Sequence, residues 1–499
     1  METIADYLDF NGPCLASAVT EWLVRDQGIT PEAARKRLSR VVPPVRGFPV
    51  PLFPKGVRFL YLESQRGSEE FWLALHRDLR STGSIYGIAL DGIAARLGAV
   101  REQDFDVVSG ATVVPVKKQV TVKTVGTRLC EAGLLAQEWL GEDRALRIKP
   151  SEIAVAELEG VRARSAVELV ILDGLREWAR KIGAASYNKI SIRGEAEHQA
   201  VGQFMFDLAG PSYLLPLRRG RGNQPGFLVA DVFSQGTLDE NHIRYFIRKS
   251  HALHATLTGA TVMPILVADS FTGAALKAGH AAGIILVTPG ILFGKTVGEA
   301  LHSLLQTLSR AAVYAAADKP DRIVALVGSL REIEGRAGNL RGPLFELIAA
   351  YLARRDAVSI DMGVVARDKD GKSADIDVLK FTSQHSSCVA IECKGKEPNG
   401  VVTLKEVEGW LRKIPIIQSH LRSQSHLREA CLSFELWTTG TFTSDARVLL
   451  VAEEKKRKKM PIAWRDGPAI LQLSIAHKEK AITDALRQHF LAHPLSQSG

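Results

Sequence analysis

The spacing of hydrophobic positions changes along the chain and divides it into three segments. Over residues 1–145, apolar residues recur every three or four positions in short blocks, which predicts small helices joined to short β-ribbons. Over residues 146–335, and again over 336–499, short apolar runs typical of buried strands alternate with longer helical blocks. Alternating strands and helices indicate α/β domains, so we predict a multi-domain α/β protein with domains over these three ranges.

The first segment has the element order of a winged helix. Residues 12–28 have the apolar spacing of a helix, and a basic helix follows Thr30, a good helix cap, and Pro31, a good first helical residue. Beyond a proline-rich stretch, residues 53–64 are expected to form a hairpin. In a winged helix the second helix enters a DNA major groove. We therefore predict a winged-helix-like DNA-binding region of one or two units over residues 1–145; the alternative is a solvated basic helix face.

Composition and charge narrow the class of protein and of partner. The chain has 46% hydrophobic and 24% charged residues, which is ordinary for a globular protein, and its net charge of +9 favours a polyanionic partner. Its five cysteines are scattered without CxxC spacing, so neither a disulfide framework nor a structural zinc site is expected. No apolar run is long enough to cross a membrane. We expect a cytoplasmic protein with no membrane partner.

Charged residues share one face of two neighbouring predicted strands in the third segment. Asp375 and Asp377 alternate along "SADIDVLKF", and Glu392 and Lys394 alternate along "CVAIECKGK". If the strands pair, the carboxylates and the lysine converge, and carboxylates so close together repel one another. A hard divalent cation such as Mg²⁺ would offset that repulsion. The alternatives are a plain ion pair of Glu392 with Lys394, and Asp375 as the metal ligand in place of Asp377.

The series "LRGPLFELIAAYL", "ADIDVL" and "AIECKGK" resembles the PD-(D/E)XK, or restriction-endonuclease-like, nuclease superfamily over about residues 340–460. The resemblance implies an α/β domain with a central mixed sheet and a site that uses Mg²⁺, or Mn²⁺ in its place. It implies that Asp377 and Glu392 bind the metal, that Lys394 is the catalytic lysine, and that Glu346 is the glutamate of the preceding helix. On the helical pattern, Glu346 lies nearly opposite the apolar stripe and is equally well interpreted as a solvated residue.

The middle segment repeats this element order with a different residue set. Asp207 and Asp231 lie on successive predicted strands, but Phe233 stands where the lysine would be. We hypothesise a nuclease-like domain that has lost its active site and serves DNA binding or dimerisation; many α/β domains share such an order. No nucleotide-binding loop is expected, since only three residues separate Gly290 from Gly294 in "PGILFGK", where a phosphate-binding loop needs four.

Basic side chains near these motifs are expected to contact the DNA backbone. On the winged-helix hypothesis and the nuclease resemblance, the candidate nucleic-acid-binding residues are Arg35, Lys36, Arg37, Arg40, Lys55 and Lys396. The basic runs at 218–222 and 453–461 would add salt-dependent affinity without sequence preference.

The sequence thus predicts a Mg²⁺-dependent endonuclease acting on double-stranded DNA. The family resemblance suggests restriction, phage defence or DNA repair as its setting. Use of two domains of one chain, or of a homodimer, is expected, because cutting both strands needs two sites. The alternatives are a DNA-binding regulator that keeps the nuclease-like scaffold without catalysis, and a nuclease acting on RNA or branched DNA.

Overall fold

Capping side chains set the starts of two of the first three helices. Thr3 accepts a hydrogen bond from the Asp6 backbone, and Thr30 accepts one from the Ala33 backbone at the start of the basic helix. In this computed structural model, the described residues are 3–117, 119–140, 143–158, 160–217, 225–257, 261–309, 338–370, 372–383 and 387–491.

The first 62 residues form a helical cluster against a small antiparallel sheet. The strands follow the order β1-β3-β2, and Leu8, Leu23 and Leu60 are fully buried between sheet and helices. The elements are α1 (Ile4–Asn11), β1 (Cys14–Leu15), α2 (Ala16–Gln27), α3 (Pro31–Ser39), β2 (Val45–Gly47) and β3 (Phe59–Leu62).

The next 80 or so residues (about 69–148) repeat this arrangement. Their sheet has the order β4-β6-β5, so the first strand again pairs with the last. The elements are α4 (Glu69–Ser81), α5 (Ile85–Ala94), β4 (Ala99–Arg101), α6 (Phe105–Val108), α7 (Val122–Glu131), β5 (Leu135–Leu140) and β6 (Asp143–Ile148).

A five-stranded mixed sheet follows, in the order β13-β11-β9-β8-β7. Neighbouring strands are antiparallel from β7 to β9 and parallel from β9 to β13. The elements are α8 (Val161–Lys181), β7 (Ser191–Ile192), β8 (Leu208–Ser212), β9 (Gly226–Val232), β10 (Thr237–Leu238), α9 (Arg244–Thr256), β11 (Val262–Val267), β12 (Ser270–Phe271), α10 (Gly273–Ala281), β13 (Ile285–Val287), α11 (Pro289–Phe293) and α12 (Lys295–Ser309).

A second five-stranded mixed sheet, in the order β14-β15-β16-β18-β20, fills the C-terminal part. A helix capped by Thr403 and Glu406 packs its buried stripe of Trp410, Ile414 and Ile417 into the core of this sheet. The elements are α13 (Gly338–Ala353), β14 (Ser359–Arg367), β15 (Ser373–Ser383), β16 (Ser387–Lys394), β17 (Val401–Val402), α14 (Leu404–Ser423), β18 (Cys431–Thr438), β19 (Thr441–Phe442), α15 (Ser444–Lys456), β20 (Ile462–Arg465), α16 (Gly467–Ala476) and α17 (Lys480–Leu486).

The chain divides into two compact units. The first unit comprises Met1–Glu138, Arg144–Val161 and Ala179–Val287, and the second comprises Trp139–Asp143, Arg162–Trp178 and Thr288–Gly499. The prediction of a multi-domain chain with mixed α/β architecture is confirmed. The predicted boundary at 335 and the basic run at 218–222 lie outside the described residues. Among the described helices, none is long and apolar enough to span a bilayer.

Candidate active site in the second unit

Strand register brings the predicted acidic residues together. Strands β15 and β16 are antiparallel with Val378 opposite Ile391, so the next residues along, Asp377 and Glu392, are neighbours across the pair. The Oδ2 of Asp377 accepts a hydrogen bond of 2.6 Å from the backbone N–H of Cys393. Asp377 therefore lies against the segment that carries Glu392 and Lys394.

Glu392 is held by two lysines. Its side chain is 4% exposed, and its Oε1 accepts hydrogen bonds from Lys394 Nζ at 2.8 Å and from Lys413 Nζ at 3.0 Å. Lys413 also reaches the Glu392 Oε2 at 3.3 Å. Lys413 belongs to none of the sequence motifs. The signal that could have found it is its position three residues after buried Trp410, on the same side of α14.

Asp375 has a different partner from Asp377. Its carboxylate forms an ion pair with the guanidinium of Arg162, a residue of α8 that belongs to the second unit. Asp375 and Asp377 share a face of β15, as their alternation predicts. Asp377 is hydrogen-bonded to the segment that carries Glu392 and Lys394, and Asp375 is paired with Arg162.

Glu346 also acts electrostatically on this cluster. It lies on α13 and is only partly exposed. Burial raises its pKa to about 7, with Arg162 opposing the shift and Glu392 adding to it. A solvated helix residue would not interact with those groups, so Glu346 belongs to the electrostatic surroundings of Glu392.

Acidic groups outnumber basic groups among the described side chains that interact in this cluster. Burial raises the pKa of Asp377 well above its ordinary range, and the Glu346 and Glu392 carboxylates raise it further. Burial opposes the charge of Lys394, but Glu392 outweighs it, and the pKa of Lys394 is raised. Four carboxylates interact here with three basic groups: Glu346, Asp375, Asp377 and Glu392 with Arg162, Lys394 and Lys413.

The donor set suits a hard divalent cation. Within the described ranges, no group of three or more His, Cys, Asp or Glu side chains is arranged to hold a metal ion. Mg²⁺, however, commonly uses one or two protein carboxylates together with waters and substrate phosphates. Asp377 and Glu392 supply two carboxylates side by side, and a cation there would relieve the repulsion that raises the pKa of Asp377.

The other predicted contact residues lie in two places. Lys396 is partly buried, and its Nζ is 2.6 Å from the Glu406 carboxylate, so its charge is engaged within the second unit. In the first unit, Lys55 is exposed in the turn between β2 and β3. The exposed basic residues on or directly after α3 are Arg35, Lys36, Arg37 and Arg40.

Comparisons with protein-family models, curated proteins and solved structures found no match to this chain. The resemblance to a nuclease superfamily therefore rests on the motif residues and their geometry. In that geometry Asp377, within β15, adjoins Glu392 and Lys394 near the end of β16, with Glu346 interacting from α13.

Proposed function

We propose that the protein is a Mg²⁺-dependent nuclease that hydrolyses phosphodiester bonds of DNA. The observation that carries the proposal is the register of β15 and β16, which makes Asp377 and Glu392 neighbours and leaves Lys394 at the strand end. Two acids and a lysine on neighbouring strands are the groups needed to hold a metal ion and to stabilise charge on a phosphate.

Each side chain has a distinct role in this proposal. Asp377 and Glu392 would hold the ion, which when bound supplies a Lewis acid and an acidified water. The raised pKa of Lys394 keeps its ammonium charged, so it can donate a hydrogen bond to a phosphate oxygen. With its pKa of about 7, Glu346 is suited to accept a proton from water at neutral pH. Lys413 is a positioning residue that fixes the Glu392 carboxylate.

Duplex DNA is the proposed substrate because of the N-terminal elements. The helices before β2, the basic helix α3 and the turn carrying Lys55 follow the order of a winged helix. Exposed Arg35 and Arg40 would contact phosphates and give binding that weakens with salt. Restriction, phage defence and DNA repair are the settings we propose, with a homodimer where both strands are cut.

A cleavage assay tests the proposal. The full chain is incubated with supercoiled plasmid, linear duplex, single-stranded DNA and RNA, in Mg²⁺, Mn²⁺ or EDTA. We expect metal-dependent cleavage of duplex DNA that falls at least 100-fold in Asp377→Ala and Lys394→Ala. Matched controls are Asp361→Asn on β14 and Lys405→Ala on α14, both exposed, which should cleave normally.

The outcomes separate the alternatives. Cleavage that persists in EDTA or in both active-site variants would contradict the proposed mechanism. Duplex binding without cleavage under any metal would favour a non-catalytic DNA-binding regulator. Selective cleavage of RNA would change the proposed substrate from DNA to RNA but would not contradict the proposed active site.

A further inference from the structure

The two five-stranded sheets have the same topology. In each, three antiparallel strands are followed by a helix, a parallel strand, a second helix and a second parallel strand. In each, a two-residue strand follows the third strand and pairs in parallel with another two-residue strand: β10 with β12, and β17 with β19. The first unit therefore contains a repeat of the sheet that carries the candidate active site.

The acidic residues of the repeat lie at the same register positions as those of the second unit. In the first unit Leu208 lies opposite Ala230, so Asp207 and Asp231 are neighbours across β8 and β9, as Asp377 and Glu392 are in the second unit. Asp207 Oδ2 accepts a 2.9 Å hydrogen bond from the backbone of Val232, the residue after Asp231. The second unit has the same bond, from the residue after Glu392 to Asp377.

The lysine on the following helix is also repeated. Lys249 on α9 lies 2.7 Å from Asp231 Oδ2, as Lys413 on α14 lies 3.0 Å from Glu392. The other lysine has no counterpart, because Phe233 occupies the position two residues after Asp231 and is 1% exposed. The repeat thus keeps the acids and the helix lysine, and replaces the residue equivalent to Lys394.

Protein groups donate hydrogen bonds to every carboxylate oxygen of the two acids in the repeat. Asp207 accepts from Arg193 on Oδ1 at 2.8 Å and from Arg96 on Oδ2 at 2.9 Å. Asp231 accepts from the Asp207 backbone on Oδ1 at 2.9 Å, and from Lys249 and Tyr245 on Oδ2. All four carboxylate oxygens are therefore occupied as acceptors.

The charge balance is the reverse of that in the second unit. Two buried carboxylates face three buried basic groups, Arg96, Arg193 and Lys249, and the nearby pair of Asp104 with Arg101 adds one charge of each sign. Burial acts to raise the pKa of Asp207, but the two guanidiniums outweigh it, and its pKa is lowered. A divalent cation would enter a site that already has excess positive charge.

The cations tie this site to the segment before the sheet. Arg96 follows α5, and its guanidinium lies over the Phe233 ring, 5.3 Å from the ring centroid. Lys249 Nζ donates to the carbonyl oxygen of Val107 at 2.9 Å, and Arg248 Nε donates to that of Gly110 at 3.1 Å. Residues 96–110 are thus fixed to the same site from several directions.

We propose that the first unit holds a repeat of the nuclease-like sheet that no longer binds a metal ion. In this repeat Arg96 occupies the place of a divalent cation and fixes the N-terminal region to the sheet. We call this arrangement the anchor. The anchor stands on the contacts of the first unit alone. The comparison with a metal site rests on the proposed function of the second unit, so the two are tested separately.

Hydrogen exchange of the full chain tests the anchor. Arg96→Met and Arg193→Met each remove one guanidinium from the same carboxylate, but only Arg96 belongs to the N-terminal region. We expect Arg96→Met to lower amide protection over residues 97–110 at least tenfold more than Arg193→Met does, with protection of residues 387–394 unchanged. Equal losses in the two variants would overturn the anchor. Exposed Arg66→Met is the control for loss of an arginine.

Manganese binding tests the lost metal site. Mn²⁺ bound by the full chain is counted by electron paramagnetic resonance in the wild type, in Asp377→Asn, and in Asp231→Asn/Lys249→Met, a pair that removes the acid and its cation together. We expect bound Mn²⁺ to fall in Asp377→Asn and to stay unchanged in the double variant. A fall in the double variant with its fold intact would overturn the inference. An unchanged Asp377→Asn would count against the proposed nuclease and not against the anchor.

Discussion

Glu346 opposes folding of the metal-free second unit at alkaline pH, and replacing it by glutamine should stabilise that unit. Its pKa is raised from the ordinary 4.5 to about 7. Each pKa unit corresponds to about 1.4 kcal/mol, so an ionised Glu346 lowers the free energy of unfolding by about 3 kcal/mol at a pH well above 7. Glu346→Gln keeps the shape of the side chain and removes its charge.

The pH dependence has a definite sign. Because the folded pKa lies above the unfolded one, the folded state holds the proton more tightly, and the associated stability is complete below pH 4.5 and lost as pH rises through 7. We therefore expect Glu346→Gln and the wild type to differ little at pH 5. At pH 8 the variant should be more stable by about 2–3 kcal/mol.

Urea unfolding in EDTA measures this difference. Trp410 and Trp437 are buried in the second unit and report its transition by fluorescence. Glu408→Gln, an exposed position on α14, is the matched control and should change stability equally little at both pH values. A Glu346→Gln protein no more stable than the wild type at pH 8, or stabilised equally at pH 5, would refute the electrostatic argument.

Four further predictions follow from the geometry. Lys413→Met should lower kcat at least tenfold and raise the Mg²⁺ concentration needed for half-maximal rate, because Glu392 loses one of its two lysines; an unchanged metal requirement would contradict a positioning role. Arg35→Ala/Arg40→Ala should weaken duplex binding and reduce the salt slope by about two, whereas a slope equal to that of the wild type would remove α3 from the interface. Gly395→Ala should lower the free energy of unfolding by about 1–3 kcal/mol, since a Cβ there would lie 2.2 Å from the Arg341 carbonyl oxygen; urea unfolding measures it, and equal stability would show that α13 shifts freely. If each chain has one active site, supercoiled plasmid should become open circular DNA before linear DNA at low protein concentration. Direct linearisation by monomers would contradict a repeat without catalytic activity.

Local patterns predicted much of the second sheet, because alternation and turn residues are local properties. The strands around Asp377 and Glu392, and the helix carrying Glu346, form where the apolar spacing indicated. Alternation could not separate Asp375 from Asp377, since both share a face of β15. That distinction depends on register with β16 and on the ion pair of Asp375 with Arg162, 213 residues away in the chain.

The site features that the sequence did not predict depend on contacts between segments distant in the chain. Lys413 and Arg162 carry no motif. The helical position of Lys413 indicates its buried side, but its pairing with Glu392, like that of Arg162 with Asp375, follows from tertiary packing. The same holds for the first unit, where Arg96 reaches Asp207 across 111 residues. The element order of the middle segment suggested a repeat with Asp207 and Asp231 on successive strands. The register and the shared backbone hydrogen bond then align Asp207 with Asp377 in space.

Because α8 is divided between the two units, it limits which fragments of the chain can contain the complete candidate site. Residues 162–178 belong to the second unit although more than a hundred residues of the first unit follow them. A fragment beginning at residue 336 would contain Glu346, Asp375, Asp377 and Glu392 without Arg162, the guanidinium that pairs with Asp375 and acts on Glu346. The second unit is therefore not formed by one continuous stretch of chain. On a ribosome its site would be completed only when the C-terminal strands emerge and meet a helix made long before them.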